Sequence, residues 1–450
     1  MERTTAKKNK YEIDMCNGTI MDKLISFSLP LMLSGILQLM FNAVDIIVVG
    51  RFSGSQALAA VGSTSALINV FTNLFIGISL GANVLTARFY AAGREKEVSE
   101  TVHTAITLAL VSGIVMALVG LVFSKGALAL MGTPDDVIGL SALYMRIYFL
   151  GMPFFMLYNY GAAILRAVGD TKRPLLFLMI AGVINACLNM VLVIVFKLGV
   201  AGVAIATVIS QMISCVLVLR CLCRSESSYR LRFSELGMKG YYLKQIFSVG
   251  VPAGIQSTVI NFSNVLLQSS VNSFGSTAMA GYTAANNLLG FLYVSVNSIT
   301  QACMSFTSQN YGVGKLKRMD RVLADCMILS VVVAVVLGCI CYGFGPEILQ
   351  IYTEDAEVIA CGMEILAYTT ITYFLCGWMD LFPGALRGMG YSAVPMVLSV
   401  IGTVGTRVVW IFGIFPYHRS LAILFISYPA SWIITIILQV VCFYFVRRRV

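Results

Sequence analysis

Apolar stretches of about 20 residues recur along the whole chain, parted only by short charged or Gly/Pro-rich breaks. A stretch of that length spans a bilayer, and within hydrocarbon the backbone must satisfy its own hydrogen bonds, which here means helices. Soluble chains carry roughly a quarter charged residues. Only 12% of this one is charged and 58% is hydrophobic, so a soluble globular fold is excluded.

The breaks predict twelve helices, at about 22–50, 56–92, 96–131, 135–168, 172–196, 199–224, 241–273, 277–313, 316–352, 355–389, 392–415 and 419–447. Basic residues decide their orientation. With the N-terminus placed in the cytoplasm, 25 Lys and Arg fall inside and four outside (Arg51, Lys125, Lys197 and Arg419), while Arg146 and Arg407 lie within helices. Both termini are therefore expected in the cytoplasm of a multi-pass cell-membrane (inner-membrane) protein. The same distribution disposes of a nucleic-acid partner, which the net charge of +10 would otherwise suggest. Residues 1–20 lack an apolar h-region, so the first helix is expected to stay attached.

The one long polar interruption, 225–240, falls at the midpoint, and the flanking halves repeat. Pro30 and Asn42 match Pro252 and Asn264, each pair 222 residues apart. Tyr90, Gly93 and Arg94 match Tyr311, Gly314 and Lys315, and Leu165-Arg166 with Gly169 and Pro174 matches Leu386-Arg387 with Gly390 and Pro395, at 221. The expected organisation is a cytoplasmic tail (1–21), a six-helix lobe (22–224), a cytoplasmic linker (225–240) and a second six-helix lobe (241–450). The fold class is all-α polytopic. Six spans is an even number, so the lobes run the same way and should be related by a pseudo-two-fold along the membrane normal.

Asp45 stands out against this background. A charge at the centre of a membrane helix costs roughly 2.5–3.5 kcal/mol on insertion scales, so it is rare without a task. At 100° per residue Ser34, Gln38, Asn42 and Asp45 fall at about 0°, 40°, 80° and 20°, one narrow polar stripe. Asp45 can fix the packing of a neighbouring helix, or it can be a cation or proton site facing water. In the second lobe Ser257, Asn261, Asn264 and Gln268 repeat the stripe, but Leu267 stands where Asp45 would be. The stripe is duplicated and the acid is not.

Four runs resemble the multidrug and toxic compound extrusion (MATE) family: Asn42 to Gly54, with N-x-x-D followed by a V-G-R-F-S-G turn; Leu165 to Pro174; Leu198 to Thr207; and Arg387 to Pro395. The likeness covers the chain from about Lys23 onward. It implies two lobes about a central cavity, alternating access, and export of lipophilic, often cationic drugs or metabolites against inward Na⁺ or H⁺. It also implies an ion-coupling group made of Asp45, Asn185, Asn189 and Thr207, with Asn189 standing where the family often has Asp. The residues support that grouping on their own, since Asn185 and Asn189 are spaced i, i+4 and project from one helix face. Thr207, Gln211 and Ser214 share a face in the next helix. Carboxylate, amide and hydroxyl oxygens suit a hard cation such as Na⁺, and a carboxylate removed from water among neutral partners can instead carry a proton. Gln38, Asn42, Gln211, Asn264, Gln268 and Asp380 are further cavity candidates. Asp380 is the best second acid, because a cation-binding cavity profits from one in either lobe.

No cofactor is expected, and no metal beyond Na⁺ at Asp45. The chain has only two histidines, and Cys221 and Cys223 are one residue short of C-x-x-C. The expected partners are small lipophilic cations and the lipid bilayer, with the protein acting as a monomer. A lipid-linked saccharide flippase is the alternative, although more basic residues would be expected in its cavity. An intramembrane protease is disfavoured, since neither G-x-G-D nor H-E-x-x-H occurs.

Overall fold

The computed structural model describes residues 11–450, and all regular structure among them is helical. The tail residues Arg3, Lys7, Lys8 and Lys10 of the charge argument lie outside that range. The first six segments are α1 (Met21–Phe52), α2 (Ser55–Ala91), α3 (Glu95–Leu130), α4 (Asp135–Leu150) with α5 (Met152–Ala167), α6 (Lys172–Asn189) and α7 (Gly199–Cys223). Next come α8 (Gly240–Asn272), α9 (Ser276–Gly312), α10 (Leu316–Gly343) with the short α11 (Gly345–Gln350), and α12 (Ala356–Thr369) with α13 (Tyr373–Gly388). The last two are α14 (Ala393–Ser399) and α15 (Thr406–Val409), continuous through a π-helical stretch, and α16 (Leu421–Arg449).

Eight of these helices are long and apolar enough to cross a membrane, and ten segments qualify when the bent pairs α4/α5 and α12/α13 each count as one. The more polar α8 and α9, of 33 and 37 residues, complete twelve segments among the described residues.

Each bend has a local cause. The 135–168 segment, expected as one helix, turns by 48° at Gly151. Pro153 stands just beyond it, lacks a backbone N–H and cannot continue the preceding hydrogen-bond ladder. The 355–389 segment turns by 51°. There the hydroxyls of Thr369, Thr370 and Thr372 donate to the carbonyls of Ile365, Leu366 and Tyr368 at 2.6–2.8 Å, competing with the ladder at the break.

The chain forms two compact units. One contains the described residues up to Asp14 together with Leu33–Val251, and the other contains Met15–Met32 with Pro252–Val450. Thus α1 and α8 each pass from one unit to the other, close to Pro30 and at Pro252. Within the first unit α3 packs on α4 and α5, α2 on α5, and α6 on α7. Leu85, Val102, Met145, Phe149 and Tyr160 lie at its centre. Helices approach closely where side chains vanish: a Cβ on Gly113 would lie 2.5 Å from Pro153 Cα. Within the second unit α9 packs on α10, α12 and α13, and α13 on α16.

The 225–240 segment is anchored to the first unit. The Arg232 backbone N–H donates to His103 Nε2 at 3.1 Å, and buried Tyr229 donates to Glu12 at 2.7 Å.

Candidate functional site

The polar stripe of α1 is present as a face. Gln38 and Asn42 are exposed, while Asp45 is half-buried. Asp45 points at the end of α6, where the buried amide of Asn189 donates to Asp45 Oδ1. The same Nδ2 donates to Asn185 Oδ1 at 3.2 Å, one helical turn back. Asn185 Nδ2 reaches Thr207 Oγ1 on α7 at 3.5 Å, and the Thr207 hydroxyl donates to the Val203 carbonyl at 2.9 Å. Thr207 is thus linked to the Asp45 carboxyl through Asn185 and Asn189. All four residues of the expected coupling group therefore meet within the first unit.

Two local features place them. A side chain at Gly182 of α6 would run into the ring of Phe41, so glycine lets α1 lie directly against α6. Immediately after Asn189 the helix widens to a π-helical stretch, Met190–Val195. Such stretches interrupt the regular ladder and are frequent at functional sites. A Gly182→Val variant is expected to lose about 1–3 kcal/mol of stability through overpacking. Because the Phe41 ring, four residues before Asp45 on α1, must then be displaced, coupling should fall even under conditions where the variant stays folded. Thermal unfolding and ion-driven transport, measured on the same preparation, check both effects.

The amide oxygen of Asn189 is buried and has no hydrogen-bond partner. An orphaned buried acceptor beside a carboxylate costs free energy that a bound cation would recover. Asp45, Asn185, Asn189 and Thr207 together supply only oxygen ligands of the hard type, so the residues present fit Na⁺.

Tyr144 and Tyr148 of α4, stacked with ring centroids 6.1 Å apart, lie close enough to Asp45 to feel its charge. Sequence reasoning missed them. Their i, i+4 spacing was the available signal, but it does not say which helix they face. Gln211 lies beside Tyr148, and its amide oxygen is buried without a partner.

The second unit is built differently at the corresponding place. On α8, Ser257, Asn261 and Gln268 are exposed, Asn264 is half-buried, and Leu267 is packed into the core. Asn264 Oδ1 accepts from Arg407 NH1 at 2.7 Å, a partnership that spacing along the chain could not reveal. Asp380 lies partly buried on α13. Its electrostatic neighbour is Arg387, whose guanidinium donates to Gln256 Oε1 at 2.7 Å.

A family model described as MatE matches residues 30–191 and 252–412, once in each half. A probable multidrug resistance protein, YoeA of Bacillus subtilis, is 32% identical across 94% of this chain and 93% of its own. The multidrug export protein MepA of Staphylococcus aureus is 22% identical across 84% of each chain. Among solved structures, an outward-facing multidrug resistance MATE transporter of the MOP superfamily superposes with a TM-score of 0.88. It has 19% identity and covers 98% of both chains. A MATE protein in a bent conformation gives 0.86 at 19% identity, covering 97% of this chain and 96% of that one.

Proposed function

The chain belongs to the MatE family of membrane transporters, and on that premise we propose that it is a secondary antiporter. It exports lipophilic, often cationic drugs or metabolites in exchange for Na⁺ or H⁺ by alternating access. The observation that carries this reading is the Asp45 group: a carboxylate in the apolar stretch of α1, met by the buried amide of Asn189, which is linked in turn to Asn185 and Thr207 and keeps its own amide oxygen without a partner. The multidrug names of its relatives support the substrate class.

The amide of Asn189 supplies the switch. With Nδ2 turned to Asp45, as observed, it stabilises a charged carboxylate. A half-turn of the amide presents Oδ1 instead, ready to ligate Na⁺ or to accept from a protonated Asp45. Either cation then favours the conformation in which this turned arrangement forms. A ligand shifts a conformational equilibrium only by its difference in affinity for the two states, so the ion drives the cycle to the extent that the turned cage exists in one state alone. Gln38, Asn42 and Gln211 extend the polar surface on which a substrate can compete with the ion.

An efflux-deficient host tests this reading when it is challenged with a panel of cationic dyes while Na⁺ and pH are varied separately. Expressing cells should retain less dye, and collapse of one cation gradient should abolish the difference. Retention unchanged by expression, for every dye and both gradients, would remove the antiporter reading. In orientation, the protein is a multi-pass cell-membrane monomer with both termini cytoplasmic. Impermeant labels applied to intact cells should therefore miss tags at Met1 and Val450.

A further inference from the structure

Where the first unit holds a carboxylate, the second holds a guanidinium. Arg407 is only 3% exposed. Its Nε donates to Ser431 Oγ at 3.3 Å, and its NH1 donates to Ser263 Oγ at 2.9 Å and to Asn264 Oδ1 at 2.7 Å. The guanidinium carbon lies 4.7 Å from the centre of the Tyr428 ring, and the Tyr428 hydroxyl pairs with that of Tyr282 at 2.9 Å. Every one of these partners is neutral. Among the described residues no carboxylate forms an ion pair with Arg407, Asp380 on neighbouring α13 included.

A buried ion without a counter-ion is costly, and a structural arginine normally meets an acid. Here three of the five N–H donors are used on neutral oxygens, and both donors of NH2 remain. Asn264, the residue that Arg407 holds, belongs to the stripe whose other members Ser257, Asn261 and Gln268 are exposed. Asn264 therefore joins the guanidinium to a polar face of α8 whose other members are open to a ligand. The element carrying it is also pliable, since α15 is four residues long and lies between two π-helical stretches, Val400–Gly405 and Trp410–Ile414.

We propose that Arg407 and Asn264 form an anion-recognition site in the second unit that takes an oxyanion group, such as a carboxylate, carried on the transported molecule. Good substrates then include zwitterions and anionic amphiphiles as well as simple lipophilic cations. The identity of the ligand as a transported molecule rests on the exporter reading above; the site itself does not. A guanidinium with free N–H donors suits an oxyanion better than it suits any neutral acceptor.

The test is equilibrium binding of two dyes to the full-length protein in detergent, read by fluorescence anisotropy: a rhodamine with a free carboxylate, and the methyl ester of the same rhodamine. Wild type should bind the free acid about tenfold more tightly than the ester, a difference of about 1.4 kcal/mol. Arg407→Gln should erase that preference while leaving ester affinity unchanged, and Arg407→Lys should keep part of it. A purely structural role for Arg407 would move both affinities together or neither, and either result overturns the site. Should Arg407→Gln fail to fold, wild type decides alone, since equal affinity for acid and ester is equally fatal. Added sodium sulfate separates the sources of the anion: displacement of the acid dye alone assigns the site to free oxyanions, and its absence assigns it to a group carried by the substrate. Because binding is read without a gradient, loss of the exporter reading would appear separately, as ester that binds but is not exported by cells.

Discussion

Asp45→Asn is expected to yield a protein that inserts and folds but loses ion-driven export by on the order of 100-fold, the upper part of the range for coupling between two sites. Asn is nearly isosteric with Asp, so the contact between α1 and α6 through Phe41 and Gly182 survives. The amide of Asn189 keeps an acceptor at residue 45, and the fold should not suffer. What goes is the only acid on the α1 stripe, and with it the charge that can hold Na⁺ or release a proton. Without a charge change, cation arrival no longer distinguishes one conformation from the other, and the shift disappears. Gradient-driven efflux from proteoliposomes, with thermal unfolding as the folding control, measures both halves of this expectation. Export by Asp45→Asn at wild-type rates, with the same Na⁺ and pH dependence, would leave Asp45 only a packing role.

The second expectation is that the units are not interchangeable. Asn264→Asp places a carboxylate on the duplicated stripe, yet it should restore no export in an Asp45→Asn background, leaving the double variant within about twofold of the single one. The reason lies across from it. Arg407 NH1 already donates to residue 264 at 2.7 Å, so the introduced carboxylate would close an ion pair with a buried guanidinium and would not remain free for a cation. The amides of the Asp45 group also have no counterpart there, since Thr406 and Trp410 stand 221 residues on from Asn185 and Asn189. Recovery of export by the double variant, measured in the same proteoliposomes, would show that either lobe can carry the coupling charge.

How far the sequence could be read depended on whether a signal was local. A single acid in a run of apolar residues is conspicuous wherever it falls, and a 3.6-residue period is enough to place Gln38, Asn42 and Asp45 on one face. The i, i+4 spacing of Asn185 and Asn189 puts their amides on one helix face, and in the structure Asn189 does donate to Asn185. The broken segments were less legible. Gly151 and Pro153 stand in plain view, but nothing in the order of residues says that a membrane helix will bend there rather than absorb the proline. The Arg407–Asn264 pair was beyond reach, because its two members are 143 residues apart and meet only once α8 and α15 have packed. The same holds for Tyr144 and Tyr148, whose nearness to Asp45 comes from the packing of α4 beside α7.

The claim that Asp45 is the coupling site is tested most directly by following the cation itself. Proteoliposomes containing wild type or Asp45→Asn would be loaded with substrate, and inward movement of radioactive sodium and of protons would be recorded in parallel as substrate leaves. Wild type should take up one of the two cations in step with substrate loss. Asp45→Asn should take up neither, while still binding substrate in equilibrium dialysis. Cation uptake by Asp45→Asn at the wild-type rate would contradict the account, and would place the coupling charge elsewhere in the chain.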